Sequence, residues 1–264
     1  MWLLLAAIAP AALLLYYVYS KDFNPEPKKL VFKAFGYGAL SAFVSSFISV
    51  PLMQMGLFAS EPETFADAVR LSFLGAAVPE ESAKLIMLWI FLRHCKEFDE
   101  RYDGLVYAAA VGLGFAFLEN IMYVLSAGEG WMVVSISRAL FAVPGHFAFA
   151  IVMGYFYSKN HFSWTETSGW DRFKVWLYPV LLHGVYDTLA FTSDIIPAWS
   201  GLITLGLIAF CIWLFRQTRK RILAEAEENK RLSMESTVES VFGTGDEAFG
   251  DVVAGDDEPQ SGNQ

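Results

Sequence analysis

Ionisable side chains lie deep inside four consecutive apolar segments of the sequence. They are Glu80, Glu81 and Lys84 in the first segment, Glu119 in the second, where the polar Asn120 follows it, His146 in the third, and His183 and Asp187 in the fourth. An ionisable group inside a bilayer costs several kcal/mol unless it is paired or hydrated, so each one is a functional candidate. Carboxylates and imidazoles around a wet cavity can activate water for hydrolysis, either on a metal ion or with a glutamate acting directly as base.

The spacing of these residues adds detail to that chemistry. Three pairs are separated by four residues and therefore share a helix face: Glu80 and Lys84, Phe115 and Glu119, and His183 and Asp187. Asp187 is thus placed to orient His183 and to fix its tautomer. Glu80 and Glu81 point about 100° apart around a helix. We therefore expect one glutamate to act while the other is held by Lys84 or by backbone donors.

The elements that must position these residues are membrane helices. Only 18% of the 264 residues are charged, 55% are hydrophobic and the mean hydropathy is +0.40, whereas soluble domains carry about a quarter charged residues. Seven segments are long and apolar enough to be read as spans: 2–19, 34–58, 70–93, 104–126, 132–157, 175–191 and 198–215. We predict an all-α polytopic bundle of about seven transmembrane helices.

The charges between the spans indicate an orientation. Lys and Arg cluster in alternate connectors and after the last span: 20–33, 93–101, 159–174 and 216–221. The intervening connectors contain neither residue type: 59–69, 127–131 and 192–197. The positive-inside rule then places the N-terminus outside and the C-terminus in the cytoplasm of a multi-pass protein of the plasma (inner) membrane.

Composition also divides the chain. Residues 1–216 form the predicted transmembrane domain, 217–242 a cytoplasmic helical extension, and 243–264 a disordered acidic tail. The tail and the extension carry most of the net charge of −9, and we expect no nucleic-acid partner. Cys95 and Cys211 show no ligand spacing, which argues against a cysteine-rich zinc site.

Other catalytic patterns are missing or misplaced. The sequence has no HExxH motif and no Gly-x-Ser-Gly within a span. Residues 243–246 match an aspartyl intramembrane pattern, but they lie in the polar tail. Arg138, Asp194 and His161 stand near span ends, and we interpret them as packing or pairing residues. Phe115 is interpreted as a packing residue beside the site.

The ordered motifs resemble those of a known family. Glu80-Glu81-x-x-Lys84, Phe115-x-x-x-Glu119 and His183-x-x-x-Asp187, on successive membrane helices and with His146 between the last two, look like the motifs of the PrsW intramembrane proteases. That family is distantly related to the CAAX prenyl endopeptidases, and the resemblance covers roughly residues 30–215. It implies a metalloprotease that makes the first cut in a membrane-anchored anti-sigma factor on the extracytoplasmic side.

The resemblance also implies roles for individual residues. Glu80 or Glu81 would be the base that activates water, with Glu119 beside it, and Asp187 would orient His183. His146 and His183 would bind a metal, with zinc as the expected ion, or stabilise the oxyanion, and Glu119 could be a further metal ligand. Lys84, Phe115 and Asn120 would support them. The prenyl endopeptidases have His where this chain has Glu119, which leaves a metal-free mechanism open.

Two other functions remain open at this point. Buried carboxylates and histidines also build the ion paths of coupled transporters, although inverted repeats are not evident in the sequence. A non-catalytic membrane scaffold is the second alternative, because a distant relative of this superfamily is a structural subunit. The complete set of glutamates and histidines weighs against the scaffold, because burying these groups for packing alone would be expensive.

Overall fold

The computed structural model describes residues 2–163 and 165–242, which form seven helices and no strand. Four helices are uninterrupted: α1 (Trp2–Tyr19), α2 (Lys28–Gln54), α4 (Arg101–Ser126) and α6 (Gly169–Ile195). Two contain a π-helical segment: α3 (Phe65–Arg70, Leu71–Ala77, Val78–Leu92) and α5 (Trp131–Ser137, Arg138–Ala142, Val143–His161). The last is α7 (Ser200–Phe242). The all-α prediction is confirmed.

Four helical stretches are long and apolar enough to cross a membrane: Lys28–Gln54, Arg101–Ser126, Gly128–His161 and Pro197–Val238. They belong to α2, α4, α5 and α7. Within α1, the stretch Ile8–Tyr19 is a shorter apolar helix. Helices α3 and α6 are less apolar than these stretches, because each contains ionisable residues. Glu80, Glu81 and Lys84 lie in α3, and His183 and Asp187 lie in α6.

Helix α4 lies at the centre of the bundle and is buried along most of its length. Small residues allow its neighbours to approach closely. A methyl group added at Gly112 would come within 2.4 Å of Ala150 Cβ on α5, and one added at Gly114 would come within 2.0 Å of the Phe35 carbonyl oxygen on α2. Helices α2 and α5 therefore pack against α4 with their backbones in close contact. This close packing brings the side chains that flank the glycines within reach of one another.

Helices α3 and α5 share a local irregularity of the backbone. In each helix a π-helical segment ends just before a Val-Pro pair, and the valine N–H donates five residues back, from Val78 to Phe73 O and from Val143 to Arg138 O. Proline lacks an N–H and clashes with the carbonyl four residues earlier, and a wider turn relieves that clash. The prolines directly precede the Glu80-Glu81 pair and the Gly145-His146 pair.

Helix α7 continues past Arg216 without a break to Phe242. Its second half lies beside the loops that precede α2, α4 and α6. Asn24 Nδ2 in the first loop donates to Ser233 Oγ at 3.2 Å, and Ile222 is fully buried. The predicted helical extension 217–242 is thus helical and docked against the bundle. The predicted disordered tail 243–264 lies outside the described residues.

Candidate active site

Glu81 is the central side chain of a polar cluster between α3, α4, α5 and α6. It is fully buried, and its Oε1 accepts hydrogen bonds from Lys84 Nζ at 2.7 Å and from His183 Nδ1 at 2.8 Å. The sequence predicted that one glutamate of the pair would be held by Lys84. The structure places Glu81 in that position and adds the histidine of α6 as a second donor.

Lys84 links Glu81 to the next helix. Its side chain is 1% exposed, and its Nζ lies 2.9 Å from His146 Nδ1 and 3.7 Å from Glu80 Oε2. The ammonium also lies 4.0 Å from the centre of the Phe115 ring. An aromatic face attracts a desolvated cation. Phe115 therefore packs beside the site, as predicted, and contacts its buried positive charge directly.

His146 is held on both ring nitrogens. Nδ1 faces the Lys84 ammonium, which can only donate, so we assign the ring proton to Nε2. Nε2 then donates to Glu119 Oε2 at 2.8 Å. The carboxylate thus fixes the orientation of the imidazole, as carboxylates do for histidines that act as ligands or proton carriers.

Arg138 also belongs to this cluster. This was not predicted from the sequence. Its Nη2 donates to Glu119 Oε2 at 2.6 Å, its Nε donates to Asn120 Oδ1 at 3.1 Å, and its guanidinium lies 4.0 Å from the centre of the Tyr123 ring. The sequence interpretation of Arg138 as a packing or pairing residue near a span end is correct about pairing, but its partners lie within this cluster. The available signal was its position on the same helix as His146, about two turns earlier.

His183 connects α6 to the cluster. Its Nε2 lies 3.1 Å from Asp187 Oδ2, the partner expected from the four-residue spacing, and 3.8 Å from Glu80 Oε2. Phe149 stacks on the His183 ring at a centroid distance of 4.9 Å. The His146 and His183 rings are nearly perpendicular, with centroids 5.1 Å apart. Two imidazoles from different helices therefore border one small volume.

Glu80 faces the same volume. Its side chain is 15% exposed, and its buried Oε2 has no hydrogen-bond partner. Glu80, His146 and His183 each present one possible ligand atom, and these atoms lie within 4.8 Å of one another. Two imidazoles and a carboxylate are a donor set that zinc accepts. Glu119, expected among the ligands, lies outside this set, because its Oε2 already binds Arg138 and His146.

The charges of the cluster do not balance by themselves. Four carboxylates face it, from Glu80, Glu81, Glu119 and Asp187, against the two cations Lys84 and Arg138. The difference of two negative charges must be met by protons or by a bound cation, since uncompensated charge in a membrane interior is expensive. The donor set and the charge deficit therefore both fit a divalent ion.

The chain was compared with known proteins. The family described as PrsW family intramembrane metalloprotease matches residues 26–215. This agrees with the region of roughly 30–215 over which the motifs resembled that family. No solved structure matches the chain significantly.

Curated relatives match over most of their own length. A protein named Protease PrsW from Geobacillus kaustophilus (strain HTA426) is 39% identical over 209 residues, which cover 78% of this chain and 87% of the relative. The Protease PrsW of Bacillus subtilis (strain 168) is 36% identical over 69% of this chain and 79% of its own. That of Clostridioides difficile (strain 630) is 34% identical over 70% and 77%.

The pairing of Arg138 with Glu119 leads to a prediction about stability. Arg138→Gln leaves a largely buried carboxylate without its cation, so we expect a loss of about 2–3 kcal/mol, measured as unfolding in detergent micelles. Arg138→Lys keeps the charge and should recover part of the loss. Arg70→Gln is the matched control, because Arg70 is 63% exposed and 3.8 Å from Asp67, a surface pair worth about 0–1 kcal/mol. Equal stability of Arg138→Gln and the wild type would contradict the assignment.

Proposed function

The chain belongs to the PrsW family of intramembrane metalloproteases, and we propose that it hydrolyses its substrate at the cluster of Glu80, His146 and His183. Membership of the family makes it an integral membrane protein and an intramembrane protease whose substrate is a membrane protein. The observation that carries our proposal about the site is the unpartnered Oε2 of Glu80, buried beside two imidazoles. The family match also favours the protease over the transporter and scaffold alternatives.

We assign the role of general base to Glu80. A base must have an oxygen free to accept a proton from water within hydrogen-bond reach. Oε2 of Glu80 meets that requirement, because it is buried and accepts no hydrogen bond. Glu81 also has an oxygen without a partner, Oε2, but its side chain is 0% exposed and its Oε1 is engaged by Lys84 and His183. Glu80 is 15% exposed and lies with the two imidazoles, so water can reach it there. Glu81 is therefore a positioning residue that holds Lys84 and His183 in place.

The histidines are oriented by carboxylates. Glu119 accepts the Nε2 proton of His146, and Arg138 holds Glu119 in turn. Glu81 accepts the Nδ1 proton of His183, and Asp187 lies at the other nitrogen. With their rotations fixed, the two imidazoles can face the water that Glu80 deprotonates and the oxyanion that forms when this water attacks the peptide carbonyl.

His146 and His183 would hold the metal beside the base Glu80, and we propose zinc because of their nitrogen donors. When bound, zinc lowers the pKa of its water and polarises the carbonyl group of the substrate. Lys84 lies against Glu81, His146 and Glu80. Its ammonium would have to leave His146 Nδ1 if that nitrogen is to bind the ion.

The substrate class follows from the resemblance. We propose a membrane-anchored anti-sigma factor, cut on the extracytoplasmic side by the domain formed by residues 1–216. Seven spans with the N-terminus outside would place the site in the outer half of the bilayer. The loops that carry the basic residues lie at one end of the bundle, where Asn24 contacts Glu100 and Ser233. This supports the orientation, because basic loops remain on the cytoplasmic side.

The active-site assignment is tested by reconstitution with a single-span substrate. We expect Glu80→Gln to reduce kcat about 100-fold or more, because the base is lost, while its unfolding midpoint stays near that of the wild type. Glu81→Gln should lose cleavage and also stability, because it leaves Lys84 buried without its anion. Glu129→Gln, in an exposed turn, is the carboxylate control. Undiminished cleavage by Glu80→Gln, Glu81→Gln and His183→Ala would overturn the assignment.

The metal is tested by its removal. A strong chelator should abolish cleavage by the purified protein, and added zinc should restore it, because the ion activates the water. His146→Ala and His183→Ala should each lower the zinc bound per chain at least about tenfold, since each removes an imidazole ligand. Cleavage that persists after complete removal of metal would contradict the zinc proposal and favour glutamate acting alone.

The orientation is tested by labelling single cysteines in intact cells. In a background with Cys95→Ser and Cys211→Ser, a membrane-impermeant maleimide should label Glu129→Cys directly. It should label Glu97→Cys only after permeabilisation, because positive connectors remain in the cytoplasm. The reverse labelling pattern would refute the proposed orientation.

A further inference from the structure

A second group of carboxylates lies at the opposite end of α4 from Glu119. It consists of Asp22 and Glu26 in the loop between α1 and α2, Glu100 just before α4, and Asp103 in its first turn. We call these four residues the loop cluster. Asp22 is 8% exposed, Glu26 4% and Asp103 1%, while Glu100 is half-buried. Acidic side chains are rarely buried to this degree without a partner.

Backbone groups satisfy only part of the loop cluster. Asp22 Oδ1 accepts from the Asn24 N–H at 3.1 Å, and Asp103 Oδ2 accepts from the Glu100 N–H at 2.6 Å. Glu26 accepts from the Tyr107 hydroxyl. Two buried oxygens, Asp22 Oδ2 and Glu100 Oε2, have no partner. Unsatisfied carboxylate oxygens of this kind indicate that a cation or a proton belongs among them.

No Lys, Arg or His supplies that cation within the described ranges. None of the ion pairs of residues 2–163 and 165–242 includes a member of the loop cluster. Burial, together with repulsion from Glu100 and Glu26, raises the pKa of Asp22 to about 7, against the opposing effect of the Asn24 N–H. The carboxylates repel one another strongly unless something positive lies between them.

The dimensions match an oxygen-bound ion. Asp22, Glu100 and Asp103 each present an oxygen, and these three oxygens lie within 4.8 Å of one another. Calcium binds carboxylate oxygens at about 2.3–2.6 Å, so three oxygens this close together can reach one ion. Magnesium usually keeps several waters and binds one or two carboxylates, so a group of three protein carboxylates favours calcium. The donors are all oxygen, unlike the nitrogen-containing set of the active site.

A cavity of about 820 Å³ lies beside the loop cluster and is lined in part by Glu100. Three further carboxylates line it, Asp99, Glu225 and Glu228, which outnumber the single arginine and the histidine of the lining, Arg101 and His161. An acidic cavity concentrates cations before they bind. Asn24, two residues after Asp22, donates to both Glu100 Oε1 and Ser233 Oγ, so the loop also contacts the extension of α7.

We propose that Asp22, Glu100 and Asp103 form a binding site for a divalent cation that prefers oxygen ligands, with calcium favoured over magnesium. The ion would join the loop between α1 and α2 to the start of α4. Through Asn24 it would also stabilise the docking of the α7 extension. The site is independent of the proteolytic chemistry, because none of its residues contacts the active-site cluster.

Thermal unfolding of the full chain in detergent micelles tests this proposal. We expect millimolar Ca²⁺ to raise the unfolding midpoint of the wild type, and Mg²⁺ to raise it less. Asp22→Asn should weaken Ca²⁺ binding about tenfold or more, because ligand charge sets affinity in such sites. Glu97→Gln is the matched control, since it makes the same charge change on an exposed side chain close to Glu100. It should keep the full shift.

Direct binding is measured with Tb³⁺, a probe ion that shares the oxygen preference of Ca²⁺. Emission sensitised by the neighbouring tyrosines should be competed by Ca²⁺, retained in Glu80→Gln and reduced in Asp22→Asn. If Asp22→Asn does not fold, Glu100→Gln replaces it, because that side chain is only half-buried. Retention of emission in Glu80→Gln separates this site from the active site.

Two results would overturn the proposal. The first is a wild-type midpoint that responds to neither Ca²⁺ nor Mg²⁺ but rises when the pH is lowered, because the loop cluster would then share protons instead of binding an ion. The second is an Asp22→Asn variant that keeps the full Ca²⁺ shift, which would place the ion elsewhere.

Discussion

The active-site cluster depends on the carboxylate of Glu81, which accepts hydrogen bonds from Lys84 on its own helix and from His183 on α6. This carboxylate is fully buried, so the loss of either donor would leave charge in a medium that cannot solvate it. Its two bonds begin a continuous series of polar contacts that crosses four helices. The series runs from Asp187 through His183, Glu81, Lys84, His146 and Glu119 to Arg138. Each side chain of the series is oriented by its neighbours, and Glu80 lies beside the series with its Oε2 unpartnered and close to the two imidazoles.

Two features of the backbone bring these side chains together. The π-helical segments in α3 and α5 precede Pro79 and Pro144, and they set the rotation at which Glu80, Glu81 and His146 leave their helices. The glycines of α4 allow α2 and α5 to approach at backbone distance. A bulkier α4 would separate Glu119 from His146, because their contact joins these two closely packed helices.

The chain handles buried carboxylates in two different ways. At the active site, Lys84 and Arg138 offset part of the negative charge, and two imidazoles supply nitrogen donors that suit zinc. At the loop cluster, no basic side chain of the described residues takes part, and the donors are oxygens alone. The difference in donor chemistry separates the proposed site of water activation from the proposed calcium site, whose effect would be structural.

The sequence by itself determined the helical class, and it predicted the candidate side chains and that one glutamate of the Glu80-Glu81 pair would be held by Lys84, because a four-residue spacing defines a face on a single helix. It also predicted that Asp187 orients His183, for the same reason. Only the tertiary structure decided that Glu81 is the paired glutamate, that Arg138 holds Glu119, and that Glu80 joins the two histidines. Those outcomes depend on how helices are rotated against one another. A π-helical turn adds a residue to the turn and shifts that rotation, which α-helical periodicity does not reveal.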